Sequence, residues 1–420
     1  MAAGACVAWL PVAAALSLPE AVLRTLDTNP EIQAARHQLN SRDEEVRLAK
    51  ASYLPSLEVA AGIGRETIDT PASDEVSLTR HEASVAARQM LFDGFATSEE
   101  VARQSARYHS ALHSLKATEE GVTLRVAEVY LNLLRQGELL DLARATLYEH
   151  QNIHDQMVLR SKSGVGSRAD LNQIAARLAL SHSNMVTVRS NLLDAQTNFY
   201  RVTGIEPQLN TLSEPKIKQT LPVSQVSAEH IALQQHPTLK SAGADVNSAV
   251  AQYETSKSTL WPRLQLEADK SWDQNIAGVE GDNENLVVAV RMTYNLYNGG
   301  GDSARRRQTA HLLEEAREVR NNTSRQVVES LRLSWTALSA IRDQMKYLEL
   351  HVRAAQDTRT AYQQQFNIGR RTLLDLLNTE NELVDARRAL INAGYDQLFA
   401  QYRIFNSMGQ LLPEFADTRS

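Results

Sequence analysis

The chain has 420 residues, of which only 5% are aromatic, and a formal net charge of −6 with lysine and arginine scattered along its length. This charge distribution provides no basic surface for nucleic acid, so a nucleic-acid-binding function is excluded. The single cysteine, Cys6, excludes an intrachain disulfide and a metal site built from cysteine thiolates alone. The low aromatic content favours long helices over compact cores.

Residues 1–16 carry no charge and include three consecutive alanines, Ala13 to Ala15. An apolar stretch followed by small residues is typical of a secretory signal, although the basic N-terminal region is missing. The alternative is a buried N-terminal helix, which Pro11 disfavours. We therefore interpret 1–16 as a signal-peptide remnant. No later stretch approaches the roughly 20 apolar residues of a membrane helix, so any membrane crossing must use strands.

An internal repeat organises the chain. Asn29-Pro30 recurs as His236-Pro237 after 207 positions, and Leu91–Gly94 recurs as Leu296–Gly299 after 205 positions. A nearly constant offset over this length indicates two copies of one unit. The predicted organisation is copy one over 17–205, a linker over 206–235, copy two over 236–410 and a tail over 411–420.

Long helices are predicted within each copy, because no proline lies between Pro71 and Pro207 or between Pro262 and Pro413. Apolar residues such as Val122, Val126, Leu133 and Leu140 follow helical spacing. A second apolar stripe lies on another face, so these helices have neighbours on two sides, as in the wall of a helical barrel. The predicted helices are 30–53, 97–161 and 168–202 in copy one, and 237–260, 302–365 and 373–408 in copy two. The two long helices and their turn form helical hairpins over 95–204 and 302–409.

Strand hairpins are predicted at 55–92 and 262–297, where the apolar period changes to two. Leu57, Val59 and Ile63 alternate with smaller or polar residues, and Leu286 to Leu296 alternates in the same way. Four strands cannot close a barrel, and unpaired edges facing lipid would leave backbone groups unsatisfied. The protomer must then pair with its own copies, as eight strands in a dimer or twelve in a roomier trimer. The alternative is an ordinary surface hairpin on a soluble helical protein.

From Leu18 to Leu412 the sequence resembles the TolC family of outer-membrane efflux and type I secretion channels. The resemblance is carried by the doubled hairpin, the Leu91–Gly94 and Leu296–Gly299 corners, and the two turns Ser163–Ser167 and Ile368–Thr372. It implies a membrane α+β fold: a homotrimeric twelve-stranded β-barrel, four strands per protomer, continuous with a long α-helical barrel. It also implies a place in the outer membrane of a Gram-negative bacterium, and as partners a periplasmic adaptor and an inner-membrane ABC or other transporter. The C-terminal half is closer to the type I secretion branch.

The same resemblance implies two groups of functional residues at the turns. The adaptor would dock at Gly164, Val165, Gly166, Ser167, Gly369, Arg370 and Thr372. The closed mouth would be held by polar links among Asp170, Phe366 and Arg371, with an acidic ring at Asp375 and Asn378. Phe366 replaces the family's tyrosine and Asn378 replaces a carboxylate, so the resemblance implies a weaker closing network. A purely structural interpretation of the same turns is helix capping: Ser167-x-x-Asp170 and Thr372-x-x-Asp375 are both predicted capping boxes.

No catalytic constellation is visible, so we expect no enzyme activity and no cofactor. His109 and His113 lie four residues apart without a nearby acid, which indicates a solvated helix face and no metal site. Three alternatives stay open at this point: a small-molecule efflux duct of the same family, a helical structural protein without a pore, and an enzyme on a helical scaffold.

Overall fold

The computed structural model describes residues 16–71, 73–164, 166–207 and 212–416, so the signal-like segment lies almost wholly outside the described residues. The helices are α1 Leu18–Thr28, α2 Pro30–Ala51, α3 Ala96–Lys162, α4 Arg168–Thr203, α5 Gln225–Gln235, α6 Pro237–Thr255, α7 Gly301–Asn367, α8 Leu373–Met408 and α9 Leu411–Ala416; the strands are β1 Ser56–Thr70, β2 Ser73–Phe92, β3 Arg263–Gln274 and β4 Asp282–Thr293. The chain divides into two compact units. The strand unit comprises 36–114 and 238–323, and the helical unit comprises the described parts of 1–35, 115–237 and 324–420.

The strand unit contains one antiparallel sheet in the order β1-β2-β3-β4. The predicted hairpins β1-β2 and β3-β4 are present, and β2 pairs with β3 from His81 opposite Gln274 to Phe92 opposite Leu264. The two copies of the repeat thus contribute to a single sheet. Within the described chain β1 and β4 are its edges, each paired on one side only.

The register places most apolar side chains of the sheet on one face, which also carries the Lys270–Glu284 ion pair, and most other charged side chains on the opposite face. Directly opposite residues share a face, so Leu57 and Val59 of β1 lie on the side of Leu286, Val288 and Val290 of β4. The apolar side chains of β1 and β4 are well exposed, for example 73% at Val59 and 65% at Val288. The opposite face carries cross-strand ion pairs, listed here: Arg291 with Glu267 at 2.9 Å, Arg80 with Glu66 at 3.1 Å, and Arg88 with Glu58 at 3.4 Å.

Strand β4 ends earlier than the alternation predicts. The predicted strand continues to Leu296, whereas β4 ends at Thr293, opposite Arg263, the first residue of β3. The preceding Pro262 has no N–H to donate, so the ladder cannot continue past this pair. The apolar period alone was therefore wrong about the end of this strand.

Helices α3, α4, α7 and α8 agree with the sequence prediction to within about two residues, and α8 has the predicted bounds. Helix α6 is the exception, because it ends at Thr255 where the prediction continued to residue 260. The Ser256 hydroxyl donates to the Tyr253 carbonyl at 2.6 Å and accepts from Thr309 at 3.0 Å, which competes with the helical pattern. In the part of the chain that the structure describes, no helix is long and apolar enough to cross a membrane.

The helical unit buries the predicted apolar stripe. Val122, Val126, Leu133 and Leu140 of α3 are all at most 6% exposed. The core continues through aromatic side chains that sequence periodicity did not single out: Tyr130, Phe199, Tyr402 and Phe405. The Tyr130 hydroxyl accepts from the Ser213 N–H at 3.1 Å and lies 2.7 Å from the Ser213 carbonyl, so it fixes the segment between the copies.

The predicted linker 206–235 contains helix α5, and the predicted tail contains helix α9. Helix α5 begins 207 residues after α1, so it is the counterpart of α1 in the second copy. Its N-cap Ser224 accepts from the Ser227 N–H at 3.2 Å. The sequence prediction recognised helices by long proline-free stretches with periodic apolar residues. Because prolines flank this short helix on both sides, it was not predicted.

Two buried carboxylates hold α9 in place. Glu120, 4% exposed, accepts from the N–H groups of Leu411 and Leu412, both at 3.0 Å. Glu414, 3% exposed, accepts from the N–H groups of Lys218 and Gln219 at 2.6 and 2.9 Å. Helix α9 is consequently tied to α3 at its N-terminus and to the inter-copy segment by its own side chain.

The buried Glu120 carboxyl gives the protein a predicted pH dependence. Burial raises the pKa of Glu120 from 4.5 to about 7, although the two N–H donors and Asn406 oppose the shift. Because the folded protein then binds this proton more tightly than the unfolded chain, its contribution to stability falls as pH rises from about 4.5 to 7. The change amounts to about 3 kcal/mol.

We expect Glu120→Gln to remove this dependence. Thermal unfolding midpoints of the detergent-solubilised protein at pH 5, 6, 7 and 8 measure it, with Glu128→Gln, an exposed position of α3, as the matched control. Wild type and Glu128→Gln should lose stability across pH 5 to 7 relative to Glu120→Gln. Parallel curves for all three proteins would contradict the assignment.

Candidate docking and gating site at the helical turns

The turns α3-α4 and α7-α8 have matching backbone geometry in the two copies. Gly164 and Gly369 both have φ of +76°, two residues after the ends of α3 and α7. Glycine adopts this left-handed conformation without the steric cost that a Cβ brings. Gly166 is needed for a different reason, because an added Cβ would lie 2.9 Å from the Ser161 nitrogen. Val165 lies outside the described residues.

The N-caps of the two following helices differ. Thr372 forms the predicted capping box with Asp375: the hydroxyl accepts from the Asp375 N–H at 3.2 Å, and the carboxylate accepts from the Thr372 N–H at 3.3 Å. Ser167 instead accepts from the Ala169 N–H at 3.1 Å, and among the described residues Asp170 makes no reciprocal bond. The predicted capping box at Ser167 is therefore wrong, and the Asp170 carboxylate is left half-exposed.

The described residues among those predicted to dock the adaptor are accessible at both turns. Those exposed to solvent in the protomer are Gly164, Ser167, Gly369, Arg370 and Thr372, and Gly166 is half-buried. Ile368, beside Gly369, is 68% exposed although it is a large apolar side chain. Each turn thus presents exposed backbone at a glycine, where the absence of a Cβ allows another chain to approach closely.

Phe366 is buried in an apolar cluster that joins four helices. Its ring is 4% exposed, and its neighbours in the cluster are Ile153, Met157, Ile174, Leu373, Leu376 and Leu377. The guanidinium of Arg160 lies 4.4 Å from the centre of the Phe366 ring and donates to the Phe366 carbonyl at 3.4 Å. Phe366 is thus held by apolar packing and by a cation–π contact.

Arg371 contacts its own turn. Its guanidinium lies 4.3 Å from the centre of the Tyr362 ring, its Nε donates to the Gln365 side chain at 3.0 Å, and it is 3.9 Å from the Asp375 carboxylate. Within the described protomer the structure shows no link from Arg371 to Asp170. Two of the three residues predicted to form a polar network, Phe366 and Arg371, are therefore engaged elsewhere.

Asp375 and Asn378 lie on one face of α8. Their spacing of three residues places them about one helical turn apart. Asp375 is half-buried and accepts from the Thr372 hydroxyl at 2.9 Å, whereas Asn378 is exposed. Of these two residues only Asp375 carries a carboxylate.

A second interhelical contact was missed by sequence reasoning. Arg359 of α7 forms ion pairs with Glu380 of α8 and, at 3.0 Å, with Glu149 of α3. Glu380 is 5% exposed, so its charge is compensated largely by this arginine. Glu149 and Arg359 are 210 residues apart, and nothing in the local sequence of either indicates the pairing.

Comparison with known proteins decides the family. A family model described as outer membrane efflux protein matches residues 22–205 and 229–410. The chain belongs to this outer membrane efflux protein family. The two matched segments correspond to the two copies of the repeat, and the predicted resemblance to TolC-type channels is confirmed.

Curated relatives and solved structures extend over nearly the whole chain. The outer membrane efflux protein BepC of Brucella suis is 27% identical, covering 95% of this chain and 87% of that protein. The alkaline protease secretion protein AprF of Pseudomonas aeruginosa is 24% identical, covering 93% and 84%. The outer membrane protein VceC of Vibrio cholerae superposes with a TM-score of 0.79 at 16% identity, covering 93% of this chain and 96% of that one.

These matches confirm the predicted fold and location. The chain is an outer-membrane protein with the α+β fold of the efflux family, built from two copies of helix, strand hairpin and helical hairpin. The family consists of channel proteins, which removes the alternative of a helical protein without a pore.

Proposed function

We propose that three copies of this chain form a passive outer-membrane exit duct for type I protein secretion. The observation that carries the proposal is the four-stranded sheet, whose edges β1 and β4 are each paired on one side only within the described chain. In a bilayer each unsatisfied backbone group costs several kcal/mol, so both edges need partners. Three protomers supply twelve strands, enough to enclose a lumen wider than side chains can fill.

The two faces of the sheet support the same arrangement. The exposed row Leu286, Val288, Val290 and Met292 on β4 suits the lipid side of a barrel. The face with Arg291, Glu267 and Arg88 suits a water-filled interior, where ion pairs remain solvated. The proposed duct is passive, so export through it is driven by the attached transporter.

The partners in this proposal are a periplasmic adaptor and an inner-membrane transporter of the ABC or another class. The adaptor docks at the exposed turns, on Gly164, Val165, Gly166, Ser167, Gly369, Arg370 and Thr372. The mouth lies next to them, with Asp170, Phe366, Arg371, Asp375 and Asn378 as its gating residues. For Phe366 the supporting contact is its apolar cluster with Arg160, which joins α7 and α8 to α3 and α4.

Protein is the proposed cargo, and small-molecule efflux is the second candidate. Similarity to AprF, whose name describes protease secretion, supports protein cargo. Similarity to BepC, whose name describes efflux, supports the alternative. Both use the same duct architecture, so the distinction is one of cargo and transporter.

The barrel arrangement predicts opposite effects of one substitution at neighbouring positions. Val288→Arg places a charge on the apolar face at a cost of about 2–4 kcal/mol per protomer near the bilayer midplane. Ala289→Arg places the same charge on the opposite face, directly across from Glu267. We expect Val288→Arg to abolish heat-resistant trimers in outer-membrane fractions and Ala289→Arg to retain them.

The export function is tested in a deletion strain of the source bacterium carrying each variant. Secreted protein in the medium and the minimum inhibitory concentrations of toxic small molecules are measured together. Wild type and Ala289→Arg should restore secretion while Val288→Arg does not. Restored resistance without restored secretion would show that the cargo is small molecules and not protein. Normal trimer assembly of Val288→Arg would contradict the proposed barrel.

A further inference from the structure

The strand unit contains a cleft of about 840 Å³ that the proposed export path does not explain. Helices α3, α6 and α7 form its walls. Five of its lining residues are basic or imidazole side chains: His109, His113, Lys240, Arg317 and Arg320. No aspartate or glutamate lies among the described residues that line it. A protein with a net charge of −6 thus concentrates cationic groups in one concave place.

The arrangement of these residues leaves room between two rows of donors. His109 and His113 lie four residues apart on α3, and Arg317 and Arg320 lie three apart on α7, so each pair shares a helix face. Between them α6 presents Gly243, where even an added Cβ would meet nothing within 4 Å. Because Gly243 has no side chain, the cleft stays open between the cationic side chains of α3 and α7.

The charge in the cleft is only partly neutralised. Arg317 forms an ion pair with Glu314 of the same helix at 2.7 Å, and both side chains are more than half exposed. Arg320 makes no ion pair with any residue in the described part of the chain, and its side chain is exposed. Lys240 adds a third basic side chain to the lining, and the planar guanidinium of an arginine matches the oxygens of a phosphate group.

We propose that this cleft is a binding site for a phosphate-bearing anion with two or more negative charges. The Arg317 and Arg320 guanidiniums bind the phosphate oxygens in bidentate fashion, Lys240 supplies a third positive charge, and the imidazoles of α3 complete the donors. Asn247 and Asn321 line the same cleft and donate amide N–H bonds to the remaining oxygens. The proposal rests on the strand unit alone and is independent of the exported cargo.

The test is calorimetric titration of the detergent-solubilised full-length protein with inorganic pyrophosphate at low salt. We expect saturable binding by wild type and a loss of affinity of about tenfold or more in Arg320→Gln, because the variant loses a charge-assisted hydrogen bond to the anion. Arg317→Gln combined with Arg320→Gln should weaken binding further. Arg307→Gln removes an exposed charge from the same helix outside the cleft and should bind like wild type.

A second titration, with dihexanoyl phosphatidic acid below its micelle concentration, separates the two sources of phosphate. Tighter binding of the lipid than of pyrophosphate identifies a phospholipid headgroup as the occupant, and weaker binding identifies a free phosphate compound. Absence of saturable binding of both probes to wild type would overturn the site. Equal weakening by Arg307→Gln and Arg320→Gln would overturn it as well, since it would mean that net charge alone attracts the anion.

Discussion

Gly409→Ala is expected to destabilise the protein by about 3 kcal/mol or more, because two separate costs add at this position. Gly409 ends α8 with φ of +68°, a conformation that costs a residue with a Cβ about 1 kcal/mol. Its added Cβ would also lie 2.6 Å from Pro237 Cδ and 2.9 Å from His236 Cα. Those atoms belong to the backbone junction of α5 and α6 and cannot rotate away.

The repeat supplies a matched control. Gly204 ends α4 with φ of +70°, but an added Cβ there would meet nothing within 4 Å. Gly204→Ala should therefore show the conformational cost alone. Thermal unfolding midpoints of both variants in detergent measure the difference, and we expect a drop several times larger for Gly409→Ala. Equal drops would show that the α5-α6 junction yields to the new methyl group.

Phe366→Ala is expected to open the channel mouth. Truncating a buried phenylalanine costs about 3–5 kcal/mol of packing, and here the lost packing joins α7 and α8 to α3 and α4. If the closed mouth uses this cluster, each 1.4 kcal/mol lost shifts the closed-to-open ratio about tenfold. Three copies in the trimer add to the effect. Single-channel conductance in planar bilayers should rise strongly.

Arg160→Gln tests the same contact without creating a cavity. It removes the cation–π interaction with the Phe366 ring, a loss of about 0.5–2 kcal/mol, and should raise conductance less than Phe366→Ala. Arg144→Gln is the control, because Arg144 lies on the same helix, is 63% exposed and, among the described residues, forms an ion pair only with Asp141 three residues away. Phe366→Tyr keeps the ring and should remain closed. Wild-type conductance in both Phe366→Ala and Arg160→Gln would remove this cluster from the gate.

Much of the fold follows from features that act locally along the chain. Proline-free stretches with apolar residues at helical spacing produced the long helices, and α8 from Leu373 to Met408 was predicted with its observed bounds. Alternation of Leu57, Val59 and Ile63 gave a strand with one apolar face. The glycines at 164 and 369 end their helices in the left-handed conformation that a Cβ disfavours. Periodicity and backbone sterics need no distant partner, so one sequence suffices to predict them.

Other features depend on partners that are remote in the chain. The pairing of Glu120 with Leu411 and Leu412 spans nearly 300 residues, and without it the six-residue helix α9 has too few backbone bonds to persist. The turns between the long helices could be located from their own glycines, but the surroundings of Phe366 depend on Arg160 and on apolar residues from three other helices.

Sequence by itself thus determined the repeat, the long helices, the strand hairpins and the positions of the turns between the long helices, since these are encoded by neighbours along the chain. Tertiary structure alone decided which strand pairs with which, where β4 stops against Pro262, and whether Phe366 serves a polar link or an apolar cluster. The physical reason is that burial and hydrogen bonding in folded proteins depend on which groups are close in space. A local sequence pattern does not specify contacts between residues that are remote in the chain.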